Sequence, residues 1–173
     1  GSQHSELDIV RPLVLRTRRG GEVVVSRGNG VVFEQAGGRS GGSAKLVTRG
    51  GNLPQMQLEI PRWSLNGAGV AASVKAKLQT DFAIAKGIDL ETTGQFAARN
   101  GVITYQETGC ARLGVAKLDM GETSLEDVRG GLCRTGLPLF RMANGRWDLN
   151  ARVNDAVLTA PFAQAQLAAA HGP

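Results

Sequence analysis

Cys110 and Cys133 are the two side chains of this sequence most suited to chemistry, and 22 residues separate them. A thiolate pair holds zinc only with further Cys or His ligands, and the sole histidines, His4 and His171, lie near the two ends. The cysteines are therefore either two buried thiols or one disulfide closing a hairpin-like loop. A Ser/His/Asp triad would have to recruit those same terminal histidines. Asp119, Glu122, Glu126 and Asp127 cluster around one turn, but without the ligand spacing of an EF-hand calcium loop, and an exposed acidic turn is the simpler reading. Gly20-Gly21 follows Arg18-Arg19 without the Lys-Ser/Thr ending of a phosphate loop. Trp63 and Trp147 could line a ligand surface or stack on a sugar, yet a core position is the commoner role for tryptophan. No catalytic constellation assembles, so the chain is expected to be no enzyme and to need no metal or cofactor.

The elements around these residues are told by their period. Val70, Ala72, Val74, Ala76, Leu78, Phe82 and Ile84 alternate with Ser73, Lys75, Lys77, Gln79 and Asp81; Trp147, Leu149, Ala151 and Val153 alternate with Asp148, Asn150, Arg152 and Asn154. A period of two puts the apolar set on one face of a strand. The spacing of Val70, Val74, Leu78 and Phe82 also suits a helix, but Ser73, Thr80 and the clean two-residue period favour a strand. Strands are predicted over 7–17, 22–26, 30–35, 44–48, 56–65, 70–84, 88–98, 102–107, 111–120, 124–132, 139–142, 146–154 and 156–167. The alanine-rich stretch 163–170 fits a closing helix as well. Asn29-Gly30, Asn66-Gly67, Asn100-Gly101 and Asn144-Gly145 suit tight hairpin turns, at intervals too irregular for a propeller or leucine-rich repeat. Pro12 and Pro61 predict edges, bulges or bends, and Gly37 to Gly42 a flexible loop. The sum is an all-β, loosely repeated meander.

Composition agrees. Among 173 residues there are 24 Gly, and only 5% are aromatic, as suits many strands and many turns. The net charge is +5, and residues 1–50 carry eight Lys/Arg against four acids. The cations are spread out and lack interleaved aromatics, which argues for a solvated face and against a nucleic-acid partner. No apolar run approaches the roughly 20 residues of a membrane helix. Gly1-Ser2-Gln3-His4 resembles a cloning scar, so residues 1–5 are set apart and 6–173 are read as one domain.

The stretch from Gly109 onward carries a family pattern. It reads Gly109-Cys110-Ala111-Arg112-Leu113, then Leu118-Asp119-Met120-Gly121, then Glu126-Asp127-Val128-Arg129-Gly130-Gly131-Leu132-Cys133. Gly136-Leu137-Pro138-Leu139-Phe140 and Asn144-Gly145-Arg146-Trp147-Asp148-Leu149 follow, and the pattern closes on Ala160-Pro161-Phe162. This resembles the YdbH family, relatives of the AsmA-like and TamB proteins of Gram-negative envelopes, in which a Gly-Cys opens a segment and a Leu-Cys closes it. The alternating strands from Met56 to Glu107 fit the same family, whereas residues 7–50 lie outside the pattern. The resemblance implies a fragment of a longer protein, located in the periplasm and anchored to the inner membrane outside this segment. It also implies a Cys110–Cys133 disulfide and a long, curved, largely antiparallel sheet folded into an apolar groove.

In such a family the groove carries acyl chains between the inner and outer membranes. A sheet with one apolar face must close on itself, pair with another sheet, or hold an apolar ligand. The expectation is a lipid-binding domain with phospholipid or another acyl-chain lipid as partner. Val70, Val74, Leu78, Phe82, Trp147, Leu149 and Val153 are the expected lining. The alternative is a non-catalytic β-sandwich that presents edge strands to envelope proteins.

Overall fold

The two-residue period dominates the computed structural model, which describes residues 4–160 and 165–170. Fifteen strands and no helix occupy them. They are β1 His4–Leu7, β2 Leu13–Arg16, β3 Glu22–Arg27, β4 Phe33–Ala36, β5 Arg39–Arg49, β6 Gln55–Asn66, β7 Gly69–Phe82 and β8 Ala85–Arg99. Then come β9 Val102–Glu107, β10 Cys110–Asp119, β11 Ser124–Cys133, β12 Phe140–Ala143, β13 Arg146–Leu149, β14 Arg152–Ala160 and β15 Ala165–Ala170. All join one open antiparallel sheet. The predicted 70–84 stretch is a strand rather than a helix as far as Phe82, with 83–84 forming a turn, and Ala165–Ala170 is a strand too.

The pairing resolves into a meander of ten rows. β1 with β2, β3 with β4, β9 with β10, β11 with β12 and β13 with β14 each form one row broken in the middle. Sequential rows are hydrogen-bonded neighbours throughout, which keeps most contacts local in the chain. Asn100-Gly101 and Asn144-Gly145 make the expected hairpins, with φ of 50° and 74°, and of 52° and 73°. The strand ends pair directly across them, Arg99 with Val102 and Ala143 with Arg146. At the β6–β7 turn the Asn66 side chain accepts a hydrogen bond from the Ala68 amide at 2.9 Å.

Three expectations are corrected. Asn29-Gly30 makes no hairpin: it lies in the break between β3 and β4, where the Gly30 amide donates to Ser43 Oγ at 2.8 Å. Gly37 to Gly42 is no loop, because Gly37 and Gly38 (φ 57° and 76°) form a two-residue turn and β5 starts at Arg39. The segments 7–17 and 146–154 are not continuous strands, being interrupted at 8–12 and at 150–151.

Those interruptions belong to one feature, a transverse crease. It runs through residues 8–12, 28–32, a register shift between Gly42 and Ala44, and another between Glu59 and Arg62 that contains Pro61. Beyond β8 it continues through 108–109, 134–139 and 150–151. Extra residues on one strand of a pair bend it and sharpen its twist, so aligned bulges fold a sheet along a line. Only β7 and β8 cross the line in unbroken register, from Val70 opposite Ala98 to Thr80 opposite Ile88.

Among the described residues no second layer covers this sheet. Every substantial contact between elements is between hydrogen-bonded neighbours. The accessible surface is 12025 Å², against about 8,100 Å² expected for a compact chain of this mass. Burial concentrates on the crease, at Ser43, Ala72, Thr92, Glu107, Ala111, Cys133 and Leu139. Backbone crowding there demands small residues: a Cβ on Gly94 would lie 2.3 Å from the Gln106 carbonyl oxygen. Gly94→Ala is expected to cost on the order of 2 kcal/mol. Gly130→Ala, whose new Cβ would come no closer than 3.4 Å to its nearest neighbour, should stay within about 0.5 kcal/mol of the parent. Urea unfolding of both variants checks the contrast, and equal effects would deny the crease its tight packing.

Candidate functional site

Residues paired across antiparallel strands share a face, so the register assigns each predicted lining residue a place. Val70 and Trp147 belong to one row, Leu65–Val70–Ala98–Ile103–Met142–Trp147. Leu149 ends the next, Trp63–Ala72–Phe96–Tyr105–Phe140–Leu149. Val74 lies opposite Gly94 at the crease. Leu78 sits in Met56–Leu78–Leu90–Leu113–Gly130, beyond the crease. Val153 pairs with Leu132, which pairs with Ala111. Phe82 pairs with Ala85 past a register shift at the far end of β7.

These rows form one apolar face. Val70, Val74 and Leu78 are half-buried by their neighbours in the sheet. Trp147 and Leu149, on the outermost strand of their branch, are 67% and 59% exposed; Phe82 is 74% exposed and Val153 57%. The residues therefore share a surface without touching around a closed cavity. Trp63 is tied down instead: its indole Nε1 donates to the Val32 carbonyl at 3.1 Å and its ring meets Phe33 at 6.0 Å. That contact pins the 28–32 break onto β6.

The opposite face is polar. Lys45 pairs with Glu59 at 3.6 Å, Arg112 with Glu91 at 2.5 Å, and Gln79 donates to Asp89 at 3.4 Å. A depression of about 640 Å³ lies there, walled by Asp89, Glu91, Arg112 and Arg129 over Gly114 and Gly131. None of the predicted lining residues contributes to it. The acidic turn is local: the Gly121 amide donates to Asp119 Oδ1 at 3.0 Å, and no metal-holding group of His, Cys, Asp and Glu occurs among the described residues.

One polar cluster interrupts the apolar face. Gly94 pairs with Glu107 and Phe96 with Tyr105, so both polar side chains share the face of Val74. The Tyr105 ring lies across Gly94, where an added Cβ would sit 2.8 Å from its Cζ. Its hydroxyl reaches Thr92 Oγ1 at 2.9 Å. Glu107 is 2% exposed, the most deeply buried charged side chain described, and no donor among the described residues reaches either carboxylate oxygen. No motif marks these residues in the sequence. The available signal is an acid at an apolar position, since Ile103, Tyr105 and Glu107 alternate on one face.

Burial raises the Tyr105 phenol above its ordinary 10.0, the Thr92 hydrogen bond lowers it in part, and the Glu107 carboxylate raises it. A phenol ionising later when folded keeps its full stability contribution below pH 10 and loses it as pH climbs toward the folded value. Tyr105 is the only tyrosine, so phenolate absorbance follows it alone. The expected midpoint lies above 10.0 in the folded chain, and a midpoint at or below 10.0 would contradict the burial.

Cys110 and Cys133 are direct cross-strand partners on β10 and β11 and are disulfide-bonded, with Cα atoms 4.2 Å apart. The bridge ties the two strands where the crease breaks their rows. Closing a loop of this length constrains the unfolded chain by about 3 kcal/mol. Reduction should lower the melting temperature accordingly; an unchanged melting curve under reductant would show that the bridge holds nothing.

No protein-family model, curated protein or solved structure matches this chain.

Proposed function

We propose that this chain is a periplasmic lipid-binding domain that assists phospholipid movement between the inner and outer membranes, without covalent chemistry. The observation that carries the reading is an apolar face, spread over most rows of a single-layer sheet, that no other element among the described residues covers. An apolar ligand lowers the free energy of that face at about 0.8 kcal/mol per methylene buried, so one acyl chain dwells there without specific polar recognition. The disulfide suits an oxidising compartment.

A second reading rests on the sheet edge. β2 leaves Leu13, Val14 and Leu15 about half exposed on a strand whose outer edge has no partner among the described residues. Such an edge pairs readily with another chain, which suits an interaction module of the envelope.

Native mass spectrometry of protein purified from a bacterial envelope, followed by solvent extraction, separates the two. Near-stoichiometric phospholipid is expected; a bare mass with no uptake from added vesicles would leave the interaction module. Val74→Asp puts a charge at the centre of the face. It should abolish lipid uptake while the circular dichroism spectrum stays that of the parent; outright unfolding would mean that the face is a closed core.

A further inference from the structure

Glu107 is an anomaly in this sheet. Its carboxylate is enclosed on the apolar face, beside Gly94 and at the crease, with neither oxygen met by a donor among the described residues. An enclosed carboxylate without a donor is costly, and replacing it by an apolar group usually stabilises a fold. Its surroundings are specific. The Tyr105 ring runs along β8 from the Phe96 row, across Gly94, to the Thr92 hydroxyl, and so lies alongside the Glu107 side chain. That one hydrogen bond is the polar tie of the ring at its far end. With Glu107 only 2% exposed, a ligand reaches its carboxylate only when neighbouring side chains move, the Tyr105 ring over Gly94 among them.

We propose that Glu107, with the Thr92 hydroxyl, anchors the primary ammonium headgroup of a lipid whose acyl chains lie on the surrounding apolar face. The proposal rests on the lipid-binding reading above and adds the headgroup class. An ammonium brings three donors and a positive charge, against two carboxylate oxygens and a hydroxyl acceptor. A choline headgroup has no N–H to donate. A glycerol headgroup offers hydroxyls but belongs to a lipid of net negative charge, which the carboxylate repels.

The test uses the intact chain and native mass spectrometry after incubation with phosphatidylcholine vesicles doped with phosphatidylethanolamine or with phosphatidylglycerol. The parent is expected to take up phosphatidylethanolamine with a preference of roughly tenfold over either other lipid, the scale of one charge-assisted contact. Glu107→Gln should bring that preference close to one while total lipid uptake is unchanged. Glu107→Leu should do the same and melt at a higher temperature, so loss of selectivity is not loss of fold. An unchanged preference in Glu107→Gln, or uptake by the parent without preference, overturns the headgroup assignment and leaves the lipid reading standing. No uptake of any lipid by the parent overturns both.

Discussion

The structure depends on an uncovered apolar face. Strands of this chain place apolar side chains on alternate positions, and a sheet becomes dry on that side only where something lies against it. Among the described residues every substantial contact between strands is between hydrogen-bonded neighbours, and the Trp63 contact with Val32 and Phe33 is a local exception at the crease. Cohesion therefore comes from ladder hydrogen bonds and side chains packed within one layer, such as Met56, Leu78, Leu90 and Leu113 in a single row. Few side chains reach full burial, and the surface is about half as large again as that of a compact chain. A fold held this way has a standing free-energy gradient toward any apolar partner, which is the physical ground for reading the face as a binding surface.

The crease is the second consequence of building in one layer. A long sheet twists, and ten rows in unbroken register would accumulate that twist across the whole width. Breaks at the same level in most rows let the two halves turn relative to each other, while β7 and β8 hold them together. Most of the buried residues gather on this line, Val24 and Thr48 being exceptions. Gly94 leaves room for the Tyr105 ring, Ser43 caps the Gly30 amide, and the disulfide closes β10 onto β11 where their rows part. The polar cluster of Thr92, Tyr105 and Glu107 thus lies on the line where most of the enclosed side chains of this sheet are found.

Much of the face was legible in the sequence, since a period of two states which residues point together. Val70, Val74 and Leu78 needed nothing beyond it, and Ser73 and Thr80 already told strand from helix. Asn100-Gly101 and Asn144-Gly145 were legible because both residues accept positive φ in a two-residue turn. Asn29-Gly30 carries the same signal and misleads, since its glycine amide is satisfied by Ser43, a residue thirteen positions on. The breaks at 8–12 and 150–151 were hidden for a related reason. A bulge is set by the neighbouring strand's register, and within 146–154 the alternation of side chains continues through the break.

By itself the sequence determined the strand class, the membership of the apolar face and two of the hairpins, because these follow from backbone sterics and from period along a short stretch of chain. Tertiary structure alone decided that Trp147 shares a row with Val70, that Cys110 lies opposite Cys133, and that Glu107 is enclosed beside Tyr105. Each of these depends on register between strands that are distant in the chain. Register is settled by the sum of many pairings across the sheet, and no local run of residues carries that sum.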